Sequence, residues 1–408
     1  MSRRQPADPL LPVIAMVPPG LEQPAAAELE ALGAEAVQPL RRAVACRIDQ
    51  AGCYRLHLRA RLPFRILREL GRFPCRGRQD LYQGVQAAAD WAWWLTPERS
   101  FRVEASGTAP GLTHSHYSAL QVKNALVDWQ RQHFGERSSV ELEDPDLVLH
   151  LHLGQKAGGA GGSEATLSLD GGGASLHRRG YRAAMGLAPL KENLATGLIA
   201  LTGWDGSVPL ADPLCGSGTL LIEAAAMALG RAAGLTAGPM GSEALATPRP
   251  FALERWADFD ANVWRREVEA ARALASSALA DGRPLAPILG LERDPAVLAQ
   301  ARANAAAAGL AEVLDLRQGD ARDFTPPPGP PGILVCNPPY GARLGEGEDL
   351  EALYADLGRM LKDRCGGWTL WLLSGNPRLT GALRMKASRR IPISNGGIDC
   401  RWLRYEIR

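Results

Sequence analysis

The sequence predicts an α/β protein whose C-terminal part is a mostly parallel sheet with helices on both faces, preceded by a smaller α+β region. Two observations predict it. From about Lys191 onward, strand-length apolar runs alternate with segments of helical period, the order produced when crossover helices join parallel strands. Before that point a strand and helix are followed by paired strand-like runs, and 408 residues exceed the ordinary size of one domain.

The chain opens with VIAMVPPGLEQPAAAELEALGAEAV, a short strand, a Pro-Gly turn and a helix from Glu22. Between Arg41 and Arg78 stand eleven arginines (41, 42, 47, 55, 59, 61, 65, 68, 72, 76, 78) against Asp49 and Glu69, an excess of nine positive charges. Such a stripe is either a solvated helix face or an electrostatic footprint for nucleic acid, and the second is expected because balancing acids lie elsewhere. Phe101–Gly107 alternates as a half-buried strand, and an amphipathic helix begins near Ser118. DLVLHLHL and ATLSLD form a hairpin around the glycine-rich GQKAGGAGGSE loop. His150 and His152 on its first strand lack further ligands nearby in sequence and read as ordinary strand residues.

A domain boundary falls within GGGASLHRRGYR. There follow a helix (KENLATGLIALTGW), a strand entering a glycine turn (VPLADPLCGSGT), helices LLIEAAAMAL and WRREVEAARALASSAL, strand PILGLE, helix AVLAQARANAAAAG, strands LDLRQGD and GILVCNPPY, helix LEALYADLGRMLKD, then WTLWLLSG and the closing strands. The Arg231 to Phe259 stretch reads as an insertion, either idle or a lid.

Composition narrows the function classes. Hydrophobic residues at 46% and charged residues at 22% are those of a folded globular chain. No apolar run approaches the ~18 residues of a membrane span, and no signal peptide is evident. The seven cysteines include no C-x-x-C pair, so neither a zinc site nor a disulfide framework is expected and a cytoplasmic location fits. Formal charge is 46 minus 44, or +2, and all but five of the basic residues are arginine.

Four places carry chemistry. Asp212–Thr219, DPLCGSGT, runs a strand through small residues into a helix start, where a ligand can approach the backbone closely. The third glycine of a dinucleotide fingerprint is missing, since Leu221 stands there, which disfavours nicotinamide. Glu292, at the end of PILGLE, is placed to accept ribose hydroxyls, while Asp294 before Pro295 is expected to cap a helix. Asp320 in RQGDARDF ends another strand and suits an adenine amino group. In CNPPYGARLG, Pro338 and Pro339 hold an extended backbone without amide donors, so that the Asn337 amide oxygen and the Pro338 carbonyl can hold an exocyclic amine. Tyr340 offers a face on which a base can stack.

The combination of DPLCGSGT, GLERD, QGDARD and NPPYGARLG resembles class I S-adenosylmethionine-dependent methyltransferases acting on base amino groups. LHRRGYR and LAPLKENLA resemble the lead-in of the bacterial 23S ribosomal RNA guanine-N2-methyltransferases called ribosomal large subunit methyltransferase L. FRVEASG and QVKNALVDW are similar to that family's ferredoxin-like segment and THUMP RNA-binding domain. The resemblance implies a ferredoxin-like segment over 1–65, a THUMP domain over 66–170 and a Rossmann-like methyltransferase domain over 171–408. It implies that Asp212, Pro213, Cys215, Gly216, Ser217, Gly218, Thr219, Glu292, Asp320 and Asn337 bind S-adenosylmethionine. Tyr181, Arg182, Lys191 and Glu192 belong to the lead-in to the cofactor pocket, Tyr181 and Lys191 being implied to bind the cofactor as well, and Asn337, Pro338, Pro339 and Tyr340 hold the target guanine. Arg41, Arg42, Arg59, Arg61, Arg65, Arg68, Arg72, Arg76, Arg78 and Lys123 are expected to bind RNA. Glu292 stands where many relatives have aspartate. Some relatives are fused to a second methyltransferase half, whereas the sequence ends at Arg408, so no second methylation is expected.

The expected reaction is transfer of methyl to guanine N2 of large-subunit ribosomal RNA by a monomer with no membrane partner, without metal or covalent intermediate. Cys215 and Cys336 have no neighbouring His and are poor nucleophiles. The rival readings are a tRNA guanine methyltransferase, a DNA amino methyltransferase and a non-catalytic ribosome assembly factor.

Overall fold

The computed structural model describes residues 9–155, 162–182, 190–236, 241–242, 246–280, 285–340 and 349–408. The Gly158–Gly161 part of the glycine loop, most of LAPL and the GARLG that follows Tyr340 lie outside them.

The N-terminal part comprises β1 (Leu11–Met16), α1 (Glu22–Ala31), β2 (Glu35–Leu40), β3 (Ala43–Ile48), α2 (Gln50–Arg59), β4 (Arg65–Pro74), α3 (Arg78–Ala87), α4 (Trp91–Trp94), β5 (Phe101–Gly107), α5 (Ser115–Phe134), β6 (Leu147–Gln155) and β7 (Ser163–Asp170). Its strands form one seven-stranded sheet in the order β2-β3-β1-β4-β7-β6-β5. The expected hairpin is present as antiparallel β6 and β7, and the pair β5 and β6 is parallel. β4 pairs with β1 on one edge and β7 on the other, so the sheet runs without a break across position 65. Asp49 starts α2 by accepting the Gly52 amide at 2.6 Å. α5 begins three residues before the expected Ser118 and ends at Gly135 in the left-handed conformation.

The C-terminal part comprises α6 (Glu192–Thr202), β8 (Leu210–Asp212), α7 (Thr219–Ala228), α8 (Ala261–Ala280), β9 (Ile288–Glu292), α9 (Pro295–Ala307), β10 (Leu314–Gln318), β11 (Ile333–Cys336), α10 (Leu350–Arg364), β12 (Thr369–Ser374), α11 (Pro377–Ala382), β13 (Arg389–Asn395) and β14 (Ile398–Glu406). The second sheet has the order β10-β9-β8-β11-β12-β14-β13. Its first five strands are parallel, and β14 and β13 add antiparallel. Chain order reverses between β8 and β11, the switch point at whose carboxyl ends open sheets bind ligands. The expected cap at Asp294 is present, its carboxylate accepting the Ala296 amide at 2.8 Å with Pro295 beginning α9.

The two parts are packed together through residues of the Arg231 to Phe259 stretch, which the sequence predicts to be an insertion. Phe251, Leu253 and Trp256 are buried, and the Leu253 amide donates to Gly171 O at 3.1 Å. Tyr54 of α2 meets Trp264 of α8 edge-on at 5.5 Å. The described residues between Arg231 and Phe259 therefore belong largely to the contact between the two parts, because their large apolar side chains find buried partners there.

Candidate active site

Register places the four motifs side by side. Asp212 pairs with Gly290, Glu292 with Gln318, and Cys336 with Leu372, so Asp212, Glu292, Asp320 and Asn337 all stand at or just beyond the carboxyl ends of adjacent parallel strands. The DPLCGSGT loop leaves β8 with Gly216 and Gly218 at φ of 54° and 80°, values that favour glycine. It is tied down by the Cys215 amide donating to Leu291 O at 2.9 Å and by Asn304 Nδ2 donating to Ser217 O at 3.1 Å. Asn304 was missed by sequence reading, although a buried amide in the alanine-rich α9 is a legible signal. Close packing also needs Gly290: a Cβ there would lie 2.7 Å from Leu221 Cδ1 and 3.0 Å from Cys215 Sγ.

Asp212 is buried and accepts the Leu214 amide at 3.0 Å. Burial, with the Glu292 charge adding to it, pushes its carboxyl up to about 8. Glu292 is half-buried and spends Oε1 on the Asp294 amide at 2.9 Å. Asp320 caps the short turn Ala321–Asp323 and pairs with Arg322 at 2.6 Å, which holds its carboxyl down at about 2. An adenine amine meeting Asp320 would therefore share an ionised carboxylate with Arg322. Burial pushes the Cys215 and Cys336 thiols up, so neither supplies a thiolate.

At the end of β11, Asn337 Oδ1 is buried and accepts no hydrogen bond among the described residues. Pro339 O accepts from Tyr354 OH at 3.3 Å, while Tyr340 OH accepts from Asn395 Nδ2 at 2.8 Å and stands 3.6 Å from Cys400 Sγ. The turn is thus gripped by α10 on one side and the β13–β14 hairpin on the other, and one amide oxygen is left over.

The lead-in residues play other parts. Tyr181 is buried and donates to Glu223 Oε1 at 3.1 Å, and Lys191 is exposed at the start of α6. Arg182 pairs with Glu192 at 3.1 Å and donates to Thr219 Oγ1 at 3.0 Å, so the Thr219 hydroxyl is already engaged. Glu223 itself was missed, although a lone carboxylate in LLIEAAAMAL marks a paired charge. Its oxygens meet Thr196 Oγ1 at 2.8 Å, Arg61 at 3.4 Å and Arg179 at 3.9 Å.

The arginine stripe needs correction. Arg61 inserts between the two parts, Arg65 pairs with Glu104 and Asp170, Arg68 with Asp258, and Arg72 with Glu69 and Glu164. Arg68 also lies over the Trp94 and Trp256 rings at 5.0 and 5.7 Å. These four compensate carboxylates of the fold and do not form a free cationic face. Arg59 is half-buried, as is Lys123. Arg41, Arg42, Arg76 and Arg78 are exposed. Among the described residues no group of three or more His, Cys, Asp or Glu could hold a metal, and no helix is long and apolar enough to cross a membrane.

The chemistry of these residues fits S-adenosylmethionine, which they would hold through a glycine turn open to a ligand, the buried Asp212, Glu292 at a strand end and the ionised Asp320, with the Asn337 acceptor beside them. Fold and site define an S-adenosylmethionine-dependent methyltransferase of class I. Residues 179–404 match the family described as RMKL-like, methyltransferase domain, and the chain belongs to that family. Residues 76–158 match the THUMP domain and 12–67 the RlmL ferredoxin-like domain. The chain is 41% identical over 397 residues to slr0064 of Synechocystis sp., covering 97% of both. It is 37% identical over 388 residues to the ribosomal RNA large subunit methyltransferase K/L of Photobacterium profundum, covering 95% of the chain and 52% of that protein. The chain spans about half the length of these K/L relatives. Among solved structures, SMU.472 complexed with SAH has a TM-score of 0.81 at 27% identity, covering 98% of each chain.

The Asp212 environment predicts a pH dependence. Its folded value, about 8, lies above the ordinary 3.8, so the folded ligand-free protein binds the extra proton between these values. Its contribution to stability is therefore full at low pH and is lost as pH rises from about 4 through 8. Binding a cation against Asp212 must displace that proton, so affinity for S-adenosylmethionine is expected to rise by up to about tenfold per pH unit below about 8 and to level off above it. Calorimetry in buffers of different ionisation enthalpy reads the released proton; binding that is flat with pH rejects this role for Asp212.

Proposed function

We propose that the protein methylates the exocyclic N2 amine of a guanine in large-subunit ribosomal RNA, in the cytoplasm. The observation that carries this reading is the buried Asn337 Oδ1, without a hydrogen-bond partner among the described residues, on a proline-stiffened turn beside the cofactor crevice. An acceptor left over in a buried site calls for a donor from the substrate, and an amino group is one. Support for ribosomal RNA comes from the K/L relatives' name and from the THUMP match.

When bound, S-adenosylmethionine supplies a methyl group on a positively charged sulfur. Guanine N2 is a weak nucleophile because its lone pair is delocalised into the ring, so the protein contributes by orientation. Asn337 Oδ1 and Pro338 O hold the two N–H groups and turn the nitrogen lone pair toward the incoming methyl. As the N–C bond forms and the methyl's bond to sulfur breaks, its electron pair remaining on the sulfur, the nitrogen becomes acidic and releases its proton along one of these hydrogen bonds to water. No group of this site needs to act as a base beforehand. A guanine within a helix must first be unstacked.

The test is transfer of labelled methyl to large-subunit RNA, free and in assembled particles, with tRNA and DNA alongside, followed by nucleoside mass spectrometry. N2-methylguanosine in large-subunit RNA supports the reading. Label confined to tRNA or to a DNA base retains the chemistry and rejects the substrate; cofactor binding without any transfer favours an assembly factor.

A further inference from the structure

Four of the arginines expected to face RNA, Arg61, Arg65, Arg68 and Arg72, are engaged by the fold's own carboxylates, and a second basic set lies at the other end of the chain. Residues 376–408 contain eight basic side chains (Arg378, Arg384, Lys386, Arg389, Arg390, Arg401, Arg404, Arg408) against two acids, Asp399 and Glu406. Glu406 is paired with Arg404 at 3.8 Å. Arg390 and Arg401 are exposed and enter no ion pair among the described residues.

Both line a groove of about 700 Å³, whose walls include Gly20 of the N-terminal part and Ser374, Asn376 and Tyr405 of the C-terminal part. Asp399 lines it too, leaving one net positive charge from these three side chains. A neighbouring hollow of about 450 Å³ shares Met385 and Ala387 with it and is lined by Lys362, Arg384, Lys386 and Arg408, with Glu406 as its one acid. The groove adjoins the Asn337 turn in two ways. Ser374 ends β12, which pairs with β11 in parallel so that Cys336 faces Leu372. Cys400, another groove residue, stands 3.6 Å from the Tyr340 hydroxyl.

We propose that this groove holds the single-stranded RNA next to the target nucleotide, with Arg390 and Arg401 on its phosphates. The inference rests on the proposed function for the presence of RNA, and deepens it by assigning the strand's path. Charge selects a polyanion. Size selects a single strand: ligand sites of roughly 300–1,000 Å³ enclose small molecules, a range that suits a nucleotide or two and not a duplex. The position follows from the chemistry as well, because a base drawn out to Asn337 brings its flanking phosphates unpaired to the mouth of the site. Gly20 explains why the N-terminal part comes so close: a Cβ there would lie 2.3 Å from Pro392 O.

The experiment measures binding of a fluorescent, unstructured oligoribonucleotide across a salt titration, for wild type, R390Q/R401Q and R390K/R401K. The glutamine variant is expected to bind at least about tenfold more weakly, with a log–log salt slope shallower by about 1.4, since each single-strand phosphate contact contributes about 0.7. Its affinity for S-adenosylhomocysteine should equal that of wild type. The lysine variant should retain the slope. An unchanged slope in the glutamine variant overturns the proposal, as does a lysine variant that folds but loses the slope. An equal loss for duplex RNA also overturns it, by showing a general basic surface. Binding needs no methyl transfer, so the two readings fail separately. Wild type that binds with the full slope but methylates no guanine rejects the function and retains the groove; wild type that methylates guanine while R390Q/R401Q binds normally does the reverse.

Discussion

Asn337→Ala is expected to lower kcat for methyl transfer by about 10²–10³-fold, the usual cost of removing one preorganised polar contact at a reacting centre. The Asn337 oxygen is buried without a partner among the described residues, so its desolvation is met before the substrate arrives and its hydrogen bond is gained on binding. Affinity for S-adenosylhomocysteine should stay within about threefold, because the glycine turn, Glu292 and Asp320 are untouched. Single-turnover transfer to large-subunit RNA, with calorimetric cofactor binding beside it, separates the two. A variant that still transfers methyl at more than about a tenth of the wild-type rate would remove Asn337 from the chemistry.

Glu223→Ala is expected to cost about 3–5 kcal/mol of folding stability, the range for stranding a buried charge. Glu223 side-chain exposure is 2%, and its removal leaves Arg61 and Arg179, at 12% and 6%, without this carboxylate inside the protein. Tyr181 and Thr196 lose their acceptor as well. Glu223→Gln retains the acceptor oxygen and should lose less. Urea unfolding midpoints compare the three proteins; a loss below about 1 kcal/mol for alanine would mean that Arg61 is solvated by other routes. Since α7 starts at the glycine turn, cofactor affinity should fall with stability in the alanine variant.

The parallel sheet and its motifs were legible because their signals are local. Half-buried alternation gave Phe101–Gly107 with the bounds observed, and Asp294-Pro295 marked the start of α9. NPPY was legible for the same reason, since two prolines dictate an extended backbone wherever they stand. Part of the arginine stripe is taken up by carboxylates remote in sequence, which no local pattern reveals: Arg55 meets Glu267, and Arg68 meets Asp258. Local charge excess measures what must be neutralised and carries no information on whether RNA or the protein's own carboxylates will do it. The C-terminal basic set escaped notice for the converse reason. It is spread over α11, a loop, two strands and the last residue, and the β13–β14 pairing, which sets Pro392 opposite Arg401 and Arg390 opposite Leu403, brings Arg390 and Arg401 to one face. Glu223 and Asn304 show the same limit on a smaller scale, because a polar residue in an apolar helix announces a partner without naming it.

β4 is hydrogen-bonded along both edges, to β1 in the ferredoxin-like match and to β7 beyond it. A cut at the sequence boundary near position 65 would expose two open strand edges at once, each a template for aggregation. The ferredoxin-like and THUMP segments are therefore expected to unfold as one cooperative unit, with amides of β4 exchanging only on global opening of that half. A truncation after Asp170 keeps that sheet's strands paired but still strips Arg61 of Glu223 and Tyr54 of Trp264, so the N-terminal half is expected to need both its strands and its partner.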